Sequence, residues 1–281
     1  LTQPICSGGA ISPIVFSNPN GIAGTIDYNW TRIDATAITG ITGTGSGTIT
    51  GNLTNTTNSP LTAVFRVIAT TQNGCDSLPF DVSVVVNPIP TVAATPATQP
   101  ICSGNPITAI VLSNPNGVPG PITYSWTRDN TTNVTGIAAS GSGASIAGSL
   151  TNTTNTVQTT TFTIKATANS CDSATTTVTV TVNPRPTVAV STATQTICGN
   201  DAISPITITN PNNVAATFSW TRNNTTNVTG IAASGSGDTI SGNLVNTTNS
   251  NQLVIFTVTA TAAGCASTTT TSTVTVKPTP T

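Results

Sequence analysis

The sequence predicts an all-β chain: three tandem β-sandwich domains arranged as a rod. Three observations carry this expectation. One short stretch occurs three times, as Tyr28-Asn29-Trp30-Thr31-Arg32, Tyr124-Ser125-Trp126-Thr127-Arg128 and Phe218-Ser219-Trp220-Thr221-Arg222, with the tryptophans 96 and 94 residues apart. The cysteines keep the same period: Cys6, Cys102 and Cys198 are spaced 96 and 96, and Cys75, Cys171 and Cys265 are spaced 96 and 94. Such self-similarity marks a repeat array. Finally, apolar and polar residues alternate through short runs with no helical period, which reads as half-buried strands. Each unit is large enough to bury a modest core. The expected domains are 1–88, 89–184 and 185–281.

Within one unit the elements read in order. Ile11 to Ser17 is expected as a strand with Ile14 and Phe16 inward; Ile110 with Leu112, and Ile206 with Ile208, are its copies. Asn18 to Gly21 is a turn by its Pro and Gly chemistry. The Trp strand follows, with Ile26, Tyr28 and Trp30 on one face; Trp30, Trp126 and Trp220 are the expected core anchors. Ala35 to Gly47, rich in Thr and Gly, reads as a weak edge strand and a loop. Ile49 and Leu53 begin another strand, closed by Asn55-Thr56-Thr57-Asn58. Phe65, Val67 and Ala69 alternate inward, as do Phe162, Ile164, Ala166 and Phe256, Val258, Ala260. Val82, Val84 and Val86 form the last strand. The runs Asn87 to Thr91 and Asn183 to Thr187 alternate with proline and read as short, stiff linkers. Leu1 aligns with Ala97, so the counterpart of Val92–Pro96 is missing from domain 1, and an open sheet edge is expected there, a site for added strands.

These landmarks carry a resemblance. Ile5-Cys6-Ser7-Gly8, Tyr28-x-Trp30, Ile49-x-Gly51-x-Leu53-Thr54-Asn55-Thr56, Gly74-Cys75 and Val84-x-Val86-Asn87-Pro88 resemble the PKD-like repeats of bacterial surface proteins. These are immunoglobulin-like units found in very large adhesins, especially those exported by type IX secretion in Bacteroidota. The resemblance covers all three units. It departs from standard PKD domains after the Trp, where Thr31-Arg32 stands in place of an Asp-Gly-rich motif. It implies a stalk or adhesive role at the bacterial cell surface.

Six cysteines suit an oxidising, extracytoplasmic compartment. With no His and no Cys-x-x-Cys, zinc is not expected. Two pairings stay open. One is within each unit: Cys6–Cys75, Cys102–Cys171 and Cys198–Cys265. Against it, the strand after Cys6 and the strand before Cys75 run the same way in an immunoglobulin-like sandwich. That places the two cysteines roughly 25 Å apart, whereas a disulfide needs Cα atoms within about 7 Å. The other pairing crosses domains: Cys6–Cys171 and Cys102–Cys265, leaving Cys75 and Cys198 to join neighbouring copies head to tail.

The surface is the other unusual feature. Charged residues are 5 % of the chain, with no Glu and a net charge of -1, against roughly 25 % in ordinary domains. That excludes an electrostatic nucleic-acid partner. No apolar run is long enough for a membrane span. Asn-x-Ser/Thr sequons occur at Asn29, Asn52, Asn55, Asn130, Asn133, Asn152, Asn223, Asn224, Asn227 and Asn246. The triplets at Asp76-Ser77-Leu78, Asp172-Ser173-Ala174 and Asp238-Thr239-Ile240 resemble an O-glycosylation signal of Bacteroidota, with Ser77, Ser173 and Thr239 as acceptors. A sugar coat explains how a nearly uncharged surface stays soluble, and bare threonines are the alternative.

Catalytic constellations are missing. Without His or Glu, only scattered Asp remain for acid–base work. The glycine-rich runs lack the lysine of a phosphate loop. Asp27 and Asp34 flank Trp30, but the copies have no equivalent pair for calcium. Arg32, Arg128 and Arg222 read as solvated strand-end charges or cation–π caps. The expected function is a non-enzymatic, cofactor-free repeat module of an extracellular filament or long adhesin. Its expected partners are itself, as a head-to-tail homopolymer or longer array, and glycans. The alternatives are a carbohydrate- or protein-binding adhesin segment, or accessory domains of a secreted hydrolase.

Overall fold

The computed structural model describes residues 2–34 and 37–279. They form three tandem two-layer β-sandwiches, and no helix is present among them. In domain 1 the larger sheet runs in the order Thr2–Cys6, Phe80–Asn87, Leu61–Thr71, Ile26–Arg32, Thr44–Ser46. Domains 2 and 3 repeat this order strand for strand. The facing layer of domain 2 combines Ala93–Thr95, Ile110–Ser113 and Ser145–Ile146 with the pair Val134–Gly136 and Leu150–Asn152.

Alternation explains the layering. In Leu61–Thr71, Ala63, Phe65 and Val67 face in, and in Phe80–Asn87, Val82, Val84 and Val86 do. Phe65, Phe162 and Phe256 are wholly buried at the three core centres. Each stands edge-on to its tryptophan, with ring centroids 5.5, 5.6 and 5.7 Å apart. A glycine seats each indole. A Cβ at Gly45, Gly141 or Gly235 would lie 2.1–2.3 Å from the ring, closer than any side chain tolerates.

Two features depart from the sequence reading. Residues 11–17 of domain 1 form no strand; only single bridges tie Ala10 to Asn52 and Ile14 to Ile49. The copies Ile110–Ser113 and Ile206–Thr209 are strands because Ala93–Thr95 and Ala189–Val190 pair with them. Domain 1 has no such partner among its described residues. The second feature is an element the sequence reading did not assign. Thr2–Cys6, Thr98–Cys102 and Thr194–Cys198 each pair in parallel with the last strand of their domain. Gln3, Gln99 and Gln195 secure the exit from it. Each side-chain amide exchanges two hydrogen bonds with the backbone of Ser12, Thr108 or Ser204, as a strand neighbour would. Ala35 and Thr36, in the expected weak edge segment, lie outside the described residues, as do Leu1, Pro280 and Thr281; Ile38–Gly40 and Thr44–Ser46 are the strands found nearby.

Candidate functional site at the domain junctions

The parallel strand decides where the cysteines sit. Cys6 is in register with Asn87, Cys102 with Asn183 and Cys198 with Lys277, so this set lies where the chain leaves each domain. The other set lies at the opposite end, after the hairpin that follows the long central strand. In domains 2 and 3 that hairpin turns on two residues with positive φ, Asn169–Ser170 and Ala263–Gly264, the backbone of a tight type I′ turn. Domain 1 has a longer loop, Gln72–Gly74, before Cys75.

The structure joins Cys6 to Cys171 and Cys102 to Cys265, with Cα atoms 5.5 Å apart in both. The intra-domain pairings Cys6–Cys75, Cys102–Cys171 and Cys198–Cys265 are thereby corrected. Their members stand at opposite ends of a domain, separated by the length of an eight-residue strand such as Phe80–Asn87, about 25 Å. Cys75 and Cys198 remain free and exposed.

Polar contacts repeat around each disulfide. Asn87 Nδ2 donates to Asn169 O and Asn183 Nδ2 to Ala263 O, both at 3.4 Å. At the second junction Arg185 also donates to Ala266 O at 2.9 Å and to Asn105 Oδ1 at 3.0 Å. Each linker is then clamped by the Asn-Pro-Asn turn of the next domain. Thr91 N donates to Asn116 Oδ1 at 3.0 Å, and Asn116 Nδ2 donates to Ile89 O at 2.9 Å. Asn212 does the same to Thr187 and Arg185. The turn was legible in the sequence, but its clamping role was not, because that role depends on a partner some 25 residues away.

The glycosylation candidates separate by hydrogen bonding. Asn55, Asn152 and Asn246 are buried and hold the Asn-Thr-Thr turn. Asn152 Nδ2 donates to Thr156 O at 2.7 Å and to Val182 O at 2.9 Å, while its Oδ1 accepts from Thr154 N and Oγ1 at 2.8 Å. Asn55 and Asn246 repeat this arrangement. A glycan on any of the three nitrogens would leave one N–H for two carbonyls, one of them in the core, and would have to fit at a buried side chain, so here the Asn serves the turn. Asn130 and Asn224 spend their amides on Thr159 O and Leu253 O from left-handed backbone, and Asn52 on Gly8 O. Asn29, Asn223 and Asn227 are exposed and Asn133 half-buried, and their amide nitrogens donate no hydrogen bond among the described residues.

Ser173 is buried, with Oγ accepting from Ala166 N and donating to Ala174 O. Ser77 makes the same two bonds at an exposed position. Thr239 is exposed and touches only Asp238 Oδ1 through its hydroxyl.

Arg128 and Arg222 are buried, not solvated. Arg222 Nε donates to Ile231 O at 2.8 Å and Nη1 to Val228 O at 3.0 Å, so the guanidinium ties down the segment after the Trp strand. Arg128 does so with Ile137 and Val134. Burial pushes both pKa values down from the usual arginine range, since carbonyl dipoles stabilise the charge less well than water. Arg32 makes the equivalent bonds and pairs with Asp34 at 3.1 Å. Two exposed pairs, Arg66–Asp81 and Lys165–Asp172, hold their carboxylates below the usual range, chiefly through the hydrogen bond from the cation.

No group of three His, Cys, Asp or Glu side chains that could hold a metal occurs among the described residues. No helix among them is long and apolar enough to cross a membrane.

A profile described as the PKD-like domain matches residues 3–90, 99–186 and 195–280. No curated protein matches the chain in sequence. Among solved structures, the titin I-band fragment I67–I69 is similar over 99 % of this chain and 96 % of its own, at 7 % identity and a TM-score of 0.46. Mouse cadherin-23 EC22–24 is similar over 99 % and 96 %, at 13 % identity and a TM-score of 0.36. Dpr2 Ig1–Ig2 in complex with DIP-Theta Ig1–Ig3 is similar over the same shares, at 11 % identity and a TM-score of 0.37.

Proposed function

We propose that this chain, which belongs to the PKD-like domain family, is a non-enzymatic structural module of an extracellular bacterial filament or long surface adhesin. In this reading copies join head to tail and the exposed surface carries glycans. The observation that carries it is the placement of both disulfides between domains. A disulfide inside a sandwich stabilises that sandwich. One between sandwiches fixes their relation and gives the chain a second covalent connection at each junction.

The arrangement suits tension. Cys6 and Asn87 are neighbours at the same end of two parallel strands, so when a neighbouring copy pulls through Cys75 the disulfide and the linker load both strands together. Pulled from the same end in the same direction, the two strands are not sheared against each other. Cys198 occupies the position of Cys6 and Cys102, and Cys75 that of Cys171 and Cys265. A bond from Cys198 of one copy to Cys75 of the next would repeat the internal junction.

The glycan part rests on the very low charge and on Asn29, Asn133, Asn223, Asn227 and Thr239 as the candidates with amide nitrogens that donate no hydrogen bond among the described residues, or an exposed hydroxyl. The extracellular part rests on the disulfides. Electron microscopy of oxidised protein tests the assembly: end-to-end filaments from the native chain, and single three-domain particles from Cys198→Ser. Native particles that stay single at all concentrations under oxidising conditions would contradict it.

A further inference from the structure

Both linkers are clamped in the same way by the domain that follows. Thr91 N donates to Asn116 Oδ1 at 3.0 Å, Asn116 N to Thr91 Oγ1 at 3.1 Å, and Asn116 Nδ2 to Ile89 O at 2.9 Å. In domain 3 the same three bonds join Asn212 to Thr187 and Arg185, at 3.1, 3.2 and 2.9 Å. The residue after the clamp is left-handed in both turns, Gly117 at φ 63° and Asn213 at φ 56°. Its amide donates back to Asn114 O in one turn and to Asn210 O in the other.

Two differences fall on the same junction. The first is chemical. In an Asn-Gly pair the backbone nitrogen reaches the preceding side-chain amide with least hindrance, because glycine puts no Cβ in the way. Asn116 is followed by Gly117, whereas Asn212 is followed by Asn213. The second is mechanical. At the second junction Arg185 bridges Ala266 O and Asn105 Oδ1 across the two domains. At the first, Ile89 and Gly9 stand in the places of Arg185 and Asn105. The junction without the arginine bridge is therefore the one that carries the reactive pair.

We propose that Asn116 is a deamidation site gated by opening of the first domain junction. While the clamp is closed, the linker holds the side-chain amide and Gly117 N is spent on Asn114 O, so both reacting groups are tied down. When the linker lifts, Gly117 N attacks Asn116 Cγ. The Cγ–Nδ2 bond breaks, the proton of Gly117 N leaves with the side-chain nitrogen as ammonia, and a succinimide ring closes. Water then opens the ring at either carbonyl, leaving aspartate or isoaspartate at position 116. A carboxylate has no N–H for Ile89 O, so the clamp does not re-form as it was. The reaction makes a transient opening permanent, and the first junction keeps a chemical record of having opened.

Peptide mass spectrometry tests it in the full chain carrying Cys75→Ser and Cys198→Ser, aged without reductant at mildly alkaline pH. Asn20 and Asn73 also precede glycine; they are exposed, have no side-chain hydrogen bond among the described residues, and serve as internal references. Asn116 should deamidate at least about tenfold more slowly than Asn73, the factor that about 1.4 kcal/mol of clamp opening gives. Thr91→Pro removes the N–H and hydroxyl that hold Asn116, and Cys6→Ser with Cys171→Ser removes the covalent tie between the domains. Both leave Asn116-Gly117 intact, and either should speed the reaction at Asn116 several-fold without changing the rate at Asn73. Asn212 should stay unmodified throughout. If Asn116 reacts as fast as Asn73 in the parent chain, or if neither change speeds it, the junction does not gate the reaction. Modification of Asn212 at the rate of Asn116 would remove the assignment to the first junction.

Discussion

The interlocked disulfides make a specific claim about force. When the chain is pulled between residues 1 and 281, the shortest covalent route does not follow the backbone. It runs along residues 1–6, crosses to Cys171, returns to Cys102, crosses to Cys265 and ends through residues 265–281. Domain 1 beyond Cys6 lies outside this route, and so does most of domain 3. Only the stretch between Cys102 and Cys171 can be drawn out. At up to ~3.5 Å per residue, less its folded length, that releases roughly 200 Å. Without disulfides the whole chain is on the route, and each of three unfolding events would release about 300 Å. Single-molecule force spectroscopy is the assay, with tags at both termini and Cys75→Ser and Cys198→Ser to silence the free thiols. Under non-reducing conditions one release of roughly 200 Å is expected, and three longer ones after reduction. Several equal short steps before reduction, one per domain, would refute the reasoning, because that pattern belongs to disulfides closed inside each domain.

Other expected outcomes test the packing beneath this account. Asn152→Ala removes four hydrogen bonds and leaves Val182 O unsatisfied in the core. At about 1 kcal/mol for each bond, domain 2 should lose about 3–4 kcal/mol, read as a lower calorimetric transition. Gly235→Ala places a methyl 2.3 Å from the Trp220 ring. It should cost domain 3 about 1–3 kcal/mol and shift its tryptophan emission. Arg222→Lys keeps the charge but cannot fork between Ile231 O and Val228 O, so it should be nearly as destabilising in urea unfolding as Arg222→Ala. The pKa values of Asp81 and Asp172 are depressed in the folded state. Their contribution is present above the unfolded value near 4 and is lost as pH falls through the folded one. With no His in the chain, thermal stability should vary little from about pH 5 to 8 and fall below about pH 4.

Much of the fold was legible because its signals are local. Alternation around Trp30 and Phe65 and the Asn-Pro turns each lie within a few residues and specify strands and turns directly, and the repeat period is read by comparing like stretches. What was not legible depends on distant partners. Thr2–Cys6 has the proline of a weak strand, and only its parallel neighbour Phe80–Asn87 makes it one. Residues 11–17 have a good strand pattern but only single contacts with residues 49–51 on one side and no partner strand on the other among the described residues. Asn152 reads as a sequon until Val182 O is seen against it. Arg128 reads as a surface charge until the carbonyls of Val134 and Ile137 close around it. The cysteine sets could be placed at opposite domain ends from strand direction, whereas choosing between the two pairings required the registers.

The account stands on the claim that these repeats are joined end to end, within the chain and between copies. Non-reducing peptide mapping of oxidised native protein measures that directly. It should return peptides linking Cys6 to Cys171, Cys102 to Cys265 and, in assembled material only, Cys198 to Cys75. A peptide linking Cys6 to Cys75, or Cys198 to Cys265, would contradict it.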